Sequence, residues 1–94
     1  MEFLVHMELL GVDGGPEEEK RLRELEAVRM RELAKSGVIQ RLWRVPGRRE
    51  NWGIWCAADA DELHQALSSI SLFPYLSITV HPLATHPYDP GKAQ

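Results

Sequence analysis

Alternating apolar and polar residues predict a β-strand near each end of the chain. In the first, from Met1 to Leu10, the apolar residues of one face are Phe3, Val5, Met7 and Leu9. In the second, from Leu76 to His81, they are Leu76, Ile78 and Val80. Successive side chains of a strand point to opposite faces, so each strand has one face suited to a buried core.

Apolar residues at helical spacing predict two helices between these strands. The first runs from about Pro16 to Ser36, begins with glutamates that complement the helix dipole, and has the apolar stripe Leu22, Leu25, Val28 and Leu33. The second runs from about Ala60 to Ser69 and follows Asp59, which has capping-box spacing to Glu62. Its apolar stripe is Leu63, Ala66, Leu67 and Ile70. Each helix therefore has one face to bury.

A hairpin is predicted between the helices, because residues suited to strands flank Pro46-Gly47. Its strands span roughly residues 38–45 and 51–57, and it contains all three tryptophans. Four charged residues crowd its tip: Arg44, Arg48, Arg49 and Glu50. Arginine beside tryptophan is typical either of a solvated edge or of the rim of a pocket for a planar anion.

The order β-α-β-β-α-β predicts an α+β fold of the ferredoxin-like type, with two helices on one face of a four-stranded antiparallel sheet. One domain spans residues 1–94, and residues 82–94, rich in proline and glycine, are expected to form an extended tail. The second face of the sheet has no covering layer. Small domains gain stability by association, so we expect a second subunit to cover this face and to form a dimeric α/β barrel.

Composition narrows the classes of function. The chain is 44% apolar and 27% charged, as in a folded globular domain, and its formal net charge of −3 argues against a nucleic-acid partner. It has no apolar run long enough to cross a bilayer and no recognisable signal peptide, so we expect no membrane partner and a cytoplasmic location. The single cysteine, Cys56, excludes an internal disulfide.

His6 and His81 are expected on neighbouring strands, at the uncovered face of the sheet. Histidine is a common general base near neutral pH, and the alternative is a hydrogen-bonded pair within a subunit interface. The histidines lack HxH or HxxxH spacing, so we predict no metal site.

Arg44 alternates with Trp43 and Val45 along its strand. If those two side chains face the helices, Arg44 lies on the uncovered face beside His6. There its guanidinium would bind a carboxylate through paired hydrogen bonds. The alternative is a salt bridge within the chain, for example to Glu8.

Three segments resemble the muconolactone Δ-isomerase family: MEFLVHM, LWRVPGRRENWGIW and ELHQALSSISLFPYLSITVHPLATHP. The resemblance covers nearly the whole chain. It implies a ferredoxin-like fold whose subunits pair sheet to sheet, in a homo-oligomer that is a dimer or a larger ring such as a decamer. It also implies a cofactor-free isomerase of aromatic breakdown through β-ketoadipate, which moves a proton within muconolactone to give 3-oxoadipate enol-lactone.

The resemblance implies a small lactone carboxylate as substrate, and we assign roles on that basis. His6 is predicted to be the base, Arg44 the clamp for the carboxylate, and Asn51 or His81 the donor to the developing enolate. The predicted substrate-binding residues are Trp52 and Phe73 in the pocket wall, Arg48 at the hairpin tip, and His86 in a tail that closes a neighbouring subunit's cleft.

The sequence departs from the family's pattern, which has lysine at His6, tyrosine-alanine at Arg49-Glu50, aspartate at Cys56 and serine at Tyr88. Two alternative functions follow: a paralogue that acts on a different small lactone, and a non-catalytic module for binding a small acid or for assembly. An enzyme would lose turnover in His6→Ala or Arg44→Ala and keep its oligomer. An assembly module would dissociate in the same variants.

Overall fold

The computed structural model describes residues 1–91 and contains the predicted elements in the predicted order. The strands are β1 (Glu2–Leu9), β2 (Ile39–Arg44), β3 (Glu50–Cys56) and β4 (Leu76–Leu83), and the helices are α1 (Gly15–Lys35) and α2 (Ala60–Ser68). A 3₁₀ turn, Phe73–Tyr75, leads directly into β4.

The tail begins later than predicted. Pro82 and Leu83 still belong to β4, where they pair with Phe3 and Glu2 of β1. Residues 84–91 follow the strand and are exposed. The remaining part of the predicted tail, residues 92–94, lies outside the described residues.

The four strands form one antiparallel sheet in the order β2-β3-β1-β4, which confirms the ferredoxin-like arrangement. The core lies between one face of this sheet and the helices. Phe3, Val5 and Trp55 supply its centre and are at most 1% exposed. Leu33 of α1 and Leu63 of α2 pack into the same cluster. The opposite face of the sheet has no covering element within residues 1–91, and it is called the open face below.

The first helix buries a different stripe from the one predicted. Leu22 and Leu33 are buried as expected, but Leu25 and Val28 are 49% and 52% exposed. Glu26 and Met30 lie between Leu22 and Leu33 at helical spacing, and both are partly buried. The helix therefore turns a carboxyl group towards the interior.

The second helix agrees with its prediction. The side chain of Asp59 caps it by accepting a hydrogen bond from the backbone N–H of Glu62 at 2.9 Å. Leu63, Leu67 and Ile70 are buried. Neither this helix nor any other in the described residues has the length and apolar character of a membrane span.

A β-bulge at Gln40 decides which way the residues of β2 point. Ile39 pairs with Trp55 of β3, but Arg41, two residues later, pairs with Ile54, only one residue away. The extra residue reverses the alternation of the strand. Arg44 is consequently on the helix side of the sheet, and Trp43 is on the open face opposite Trp52. The expectation that Arg44 joins His6 on the open face is wrong for this reason.

Candidate active site

A cleft of about 440 Å³ opens between α1 and the end of the sheet formed by β2 and β3. This volume is in the range of small-molecule sites. Its wall includes the apolar side chains of Met7, Leu42 and Leu72. The charged and polar residues of its lining are Arg23, Glu26, Arg44, Arg48, Arg49, Glu50 and Asn51. An apolar wall with a few convergent polar groups is the usual composition of a ligand pocket.

Arg44 differs from the other arginines of this cleft in having no ion-pair partner within residues 1–91. Arg23, Arg48 and Arg49 each pair with a glutamate. A guanidinium binds a carboxylate through two parallel hydrogen bonds, which makes an unpaired arginine in a cleft suited to an anionic ligand.

Asn51 pairs with Arg44 across the hairpin and with Met7 on its other side. Met7 is 2% exposed on the helix side, and residues paired in register share a face. The Oδ1 atom of Asn51 is buried and has no hydrogen-bond partner in the described part of the chain. Buried polar atoms are nearly always hydrogen-bonded, so this oxygen can accept a hydrogen bond from a ligand or water in the cleft.

Glu26 supplies the cleft with a carboxyl group of altered acidity. Burial raises the pKa of Glu26 above its ordinary value of 4.5, and the positive charge of Arg23 partly opposes the change. A carboxyl group whose pKa is raised towards neutrality is suited to accepting and returning a proton. The raised pKa and the position in the cleft make Glu26 a candidate general base.

Glu26 was not among the predicted site residues, because a charged residue on an amphipathic helix is ordinarily assigned to the solvated face. The available signal was its position, four residues after Leu22 and four before Met30. At that spacing it occupies the same stripe as these apolar residues. A lone carboxylate within a buried stripe is a candidate functional group.

An ion bridge links two arginines of the cleft lining, Arg23 and Arg49. Glu19 of α1 accepts a hydrogen bond from Arg49 at 2.6 Å and also lies 3.3 Å from Arg23. Both arginines hold the pKa of Glu19 below its usual range. The bridge joins the first helix to the turn of the hairpin, and it neutralises part of the positive charge at the cleft.

The open face contains a second group of polar residues. His6 Nε2 and Glu50 Oε1 are 2.7 Å apart, and the ring of Trp52 packs against His6 with centroids separated by 4.5 Å. His81 also stacks on Trp52, with ring centroids 6.4 Å apart. This confirms the expectation that His6 and His81 share this face on neighbouring strands.

Arg48 extends this group of residues at the hairpin tip. It hydrogen-bonds Glu50 and lies 3.9 Å from Glu8. The alternative prediction of a salt bridge between Arg44 and Glu8 is wrong, because Glu8 lies beside Arg48 instead.

The structure divides the four residues predicted to be catalytic into two pairs on opposite faces of the sheet. Arg44 and Asn51 line the cleft, whereas His6 and His81 lie on the open face. One small substrate bound to this chain cannot contact both pairs.

The predicted substrate-binding residues are also dispersed. Arg48 is at the cleft and Trp52 on the open face. Phe73 packs edge-on against His64 of α2, with ring centroids 6.1 Å apart. His86 forms a turn after β4, in which its Nδ1 accepts a hydrogen bond from the N–H of Tyr88 at 3.0 Å. No three His, Cys, Asp or Glu side chains of residues 1–91 are grouped as a metal site requires.

Fold and cleft together define a small ferredoxin-like α+β domain with a charged pocket beside its first helix. The family model described as muconolactone delta-isomerase matches residues 1–89. The Muconolactone Delta-isomerase of Cupriavidus pinatubonensis is 38% identical over 88 residues, which are 93% of this chain and 96% of that protein. The Pseudomonas aeruginosa protein of the same name is 33% identical, over 90% of this chain and 92% of its own length.

A solved structure supports the same relationship. A crystal structure of muconolactone isomerase superposes with a TM-score of 0.88 at 31% sequence identity, covering 99% of this chain and 98% of that one. The chain therefore belongs to the muconolactone Δ-isomerase family.

Proposed function

We propose that this protein is a cofactor-free isomerase that moves a proton within muconolactone to give 3-oxoadipate enol-lactone. The observation that carries the proposal is the placement of Glu26, Arg44 and Asn51 around one cleft of about 440 Å³. Together these residues supply a base, a cationic anchor and an amide. Membership of the family supports this choice of substrate.

In the proposed reaction, Arg44 binds the carboxylate of the substrate through charge-assisted hydrogen bonds. Glu26 removes the proton from the carbon γ to the lactone carbonyl, and the electron pair delocalises through the double bond onto the carbonyl oxygen. The amide of Asn51 donates a hydrogen bond to this oxygen as its negative charge develops. Glu26 then returns the proton to the α carbon, two carbons away, which regenerates its carboxylate.

Two observations favour Glu26 over His6 as the base. The Nε2 atom of His6 is already bonded to Glu50 at 2.7 Å, and His6 lies on the face of the sheet opposite Arg44. Burial raises the pKa of Glu26, which brings the carboxyl group nearer to the pH at which a general base works best.

The test is turnover of muconolactone, followed by ultraviolet absorbance between about pH 5 and about pH 9, on both sides of the neutral pH at which a general base works best. Glu26→Gln is expected to lose at least about a hundredfold in kcat. Glu24→Gln removes an exposed carboxyl from the same helix and is expected to retain activity. Full activity in Glu26→Gln, with loss of activity in His6→Gln, would move the base to the open face.

The alternative substrate is a different small unsaturated lactone acid. Its support is the extra charge at the hairpin tip, where Arg49 of the cleft lining pairs with Glu19 at 2.6 Å. Related lactones that differ in ring substituents should be assayed beside muconolactone. A higher kcat/KM with one of them would replace muconolactone as the substrate, and the roles of Glu26, Arg44 and Asn51 would be unchanged.

We also propose that the protein is a homo-oligomer of cytoplasmic location, with a second copy covering the open face. The support is the exposure of large apolar side chains there, Trp43 at 45%, Trp52 at 37% and Leu83 at 39%. Sedimentation analysis of Ile54→Arg, which places a charge in the middle of this face, is expected to show dissociation. Gln65→Arg on α2 is the matched control and is expected to remain assembled.

A further inference from the structure

Glu50 connects the open face of the sheet with the cleft. Its side chain bonds His6 on the open face, while the residue itself lines the cleft at the start of β3. The following residue is Asn51. The backbone N–H of Val45 donates to the carbonyl oxygen of Glu50 at 3.1 Å, which closes the hairpin directly after Arg44. Glu50 is therefore adjacent to Asn51 in the chain and is hydrogen-bonded to the residue that follows Arg44.

The charges around Glu50 depend on His6. Glu50 and Glu8 are directly opposite in register, an arrangement of like charges that is unfavourable. Arg48 contacts both carboxylates. If His6 is neutral, the group has two negative charges and one positive charge, and protonation of His6 balances them. The side chains of His6 and Glu50 are only 21% and 12% exposed, so solvent screens their interaction weakly.

Other groups face His6 from the neighbouring strands. Thr79 of β4 lies opposite it in register, and Trp52 of β3 packs against its ring. His81 of β4 stacks on the same Trp52 ring, with centroids 6.4 Å apart, and is the second histidine on this face. Arg41 of β2 is placed over the ring of Trp43 at 4.8 Å. Glu50 is thus the one carboxylate within residues 1–91 that hydrogen-bonds His6.

We propose that Glu50 is a positioning residue for the cleft, which holds Asn51 and Arg44 in place. Protonation of His6 strengthens the contact between His6 and Glu50 and thereby controls how firmly Asn51 and Arg44 are held. The inference rests on the proposed function in assigning those two residues to the substrate. Protonated His6 forms a charge-assisted hydrogen bond that fastens the start of β3 to β1. Neutral His6 leaves the carboxylates in excess, and the hairpin that carries the cleft residues is held less firmly.

The proposal predicts a bell-shaped dependence of kcat/KM on pH. The rising limb belongs to ionisation of Glu26, and the falling limb belongs to loss of the proton from His6. Histidines change charge between about pH 5 and about pH 8. We expect a fall of about fivefold in kcat/KM across the second limb, at the lower end of couplings between separate sites.

Two variants isolate the effect in the kinetics. His6→Gln keeps a hydrogen-bond donor but cannot titrate, so it is expected to turn over substrate without the falling limb. Glu50→Gln is expected to lose the same limb while keeping the rising limb of Glu26. A falling limb that survives in His6→Gln, or that disappears in His81→Gln instead, would overturn the proposal.

An NMR measurement tests the positioning of Asn51 in the absence of substrate. In ¹⁵N-labelled protein, the side-chain amide signals of Asn51 are expected to shift with pH along the titration of the His6 ring protons. The shift should vanish in Glu50→Gln and persist in Glu18→Gln, which breaks an exposed ion pair with Arg21 on α1. Amide signals of Asn51 that do not respond while His6 titrates would overturn the inference. Absence of turnover with muconolactone would overturn the proposed function alone.

Discussion

Arg44 and Asn51 lie directly opposite each other across the hairpin, on the face of the sheet that the helices cover. A cationic group and an unpartnered buried amide are therefore adjacent at the end of one cleft. Glu26 approaches the same cleft from α1. Two neighbouring strands and one helix thus bring Glu26 together with two groups that are remote from it in the sequence.

Glu26→Gln is expected to make the protein more stable at neutral pH while removing its activity. Because the pKa of Glu26 is raised in the folded state, its ionisation opposes folding, and the cost appears as the pH rises above the ordinary value of 4.5. Replacing the carboxylate with a neutral amide removes this cost.

Thermal unfolding at pH values on both sides of the titration measures this effect. The melting temperature of Glu26→Gln should exceed that of the wild-type protein at neutral pH, and the two should converge in acid. Equal melting temperatures at every pH would show that Glu26 is fully hydrated.

Arg44→Ala is expected to weaken substrate binding more than it slows the chemical step. Loss of a hydrogen bond between charged groups costs roughly 2 kcal/mol, which corresponds to about a thirtyfold rise in KM. Arg44→Lys should recover part of the loss, because an ammonium keeps the charge but not the paired geometry. Arg41→Ala is the matched control, since Arg41 lies over Trp43 on the other face. A larger effect in Arg41→Ala would show that the substrate binds to the open face.

Glu50 is expected to contribute to the loss of folding stability at acidic pH. The hydrogen bonds from Arg48 and His6 hold the pKa of Glu50 below its ordinary value of 4.5. A carboxyl group whose pKa is lowered on folding stabilises the protein above that value, and the contribution is lost as the pH falls through the folded pKa. Urea unfolding of Glu50→Gln should therefore show a shallower loss of stability in acid than the wild-type protein. An unchanged slope, equal to that of the exposed-site variant Glu24→Gln, would contradict this.

Gly53→Ala is expected to disturb the pairing of β2 with β3. A Cβ atom at Gly53 would lie 2.7 Å from Leu42 Cδ2 and 2.9 Å from the carbonyl oxygen of Arg41. Overpacking of this kind costs about 1–3 kcal/mol, which a shift in the midpoint of urea unfolding would reveal. Gly11→Ala is the control, because a Cβ atom there meets nothing within 4 Å.

The order of elements could be predicted from sequence because each element has its own periodicity. Alternation in β1 and β4, the capping residues of α2 and the Pro46-Gly47 turn are all local signals, and the structure contains the element that each one indicates. The order of the strands followed from the order of the elements, because a split βαβ arrangement places β1 and β3 together in the centre.

The composition of the cleft could not be predicted in the same way. The direction of Arg44 depends on the pairing of Ile39 and Arg41 with β3, which is a contact between strands and leaves no mark in the local pattern. The inward position of Glu26 depends on how α1 is rotated against the sheet, and the exposed Leu25 and Val28 made the opposite rotation look favourable. Tertiary packing decided both.

Gln40 shows that the composition of the site depends on the number of residues in β2. Deleting Gln40 would change no other residue, but it would remove the bulge. The residues of β2 that follow it would then point to the opposite faces of the sheet. Trp43 would then occupy the helix side, and the guanidinium of Arg44 would move to the face that carries Trp52. In redesigning this protein for another substrate, residue identities in β2 can be varied, but its length must be kept.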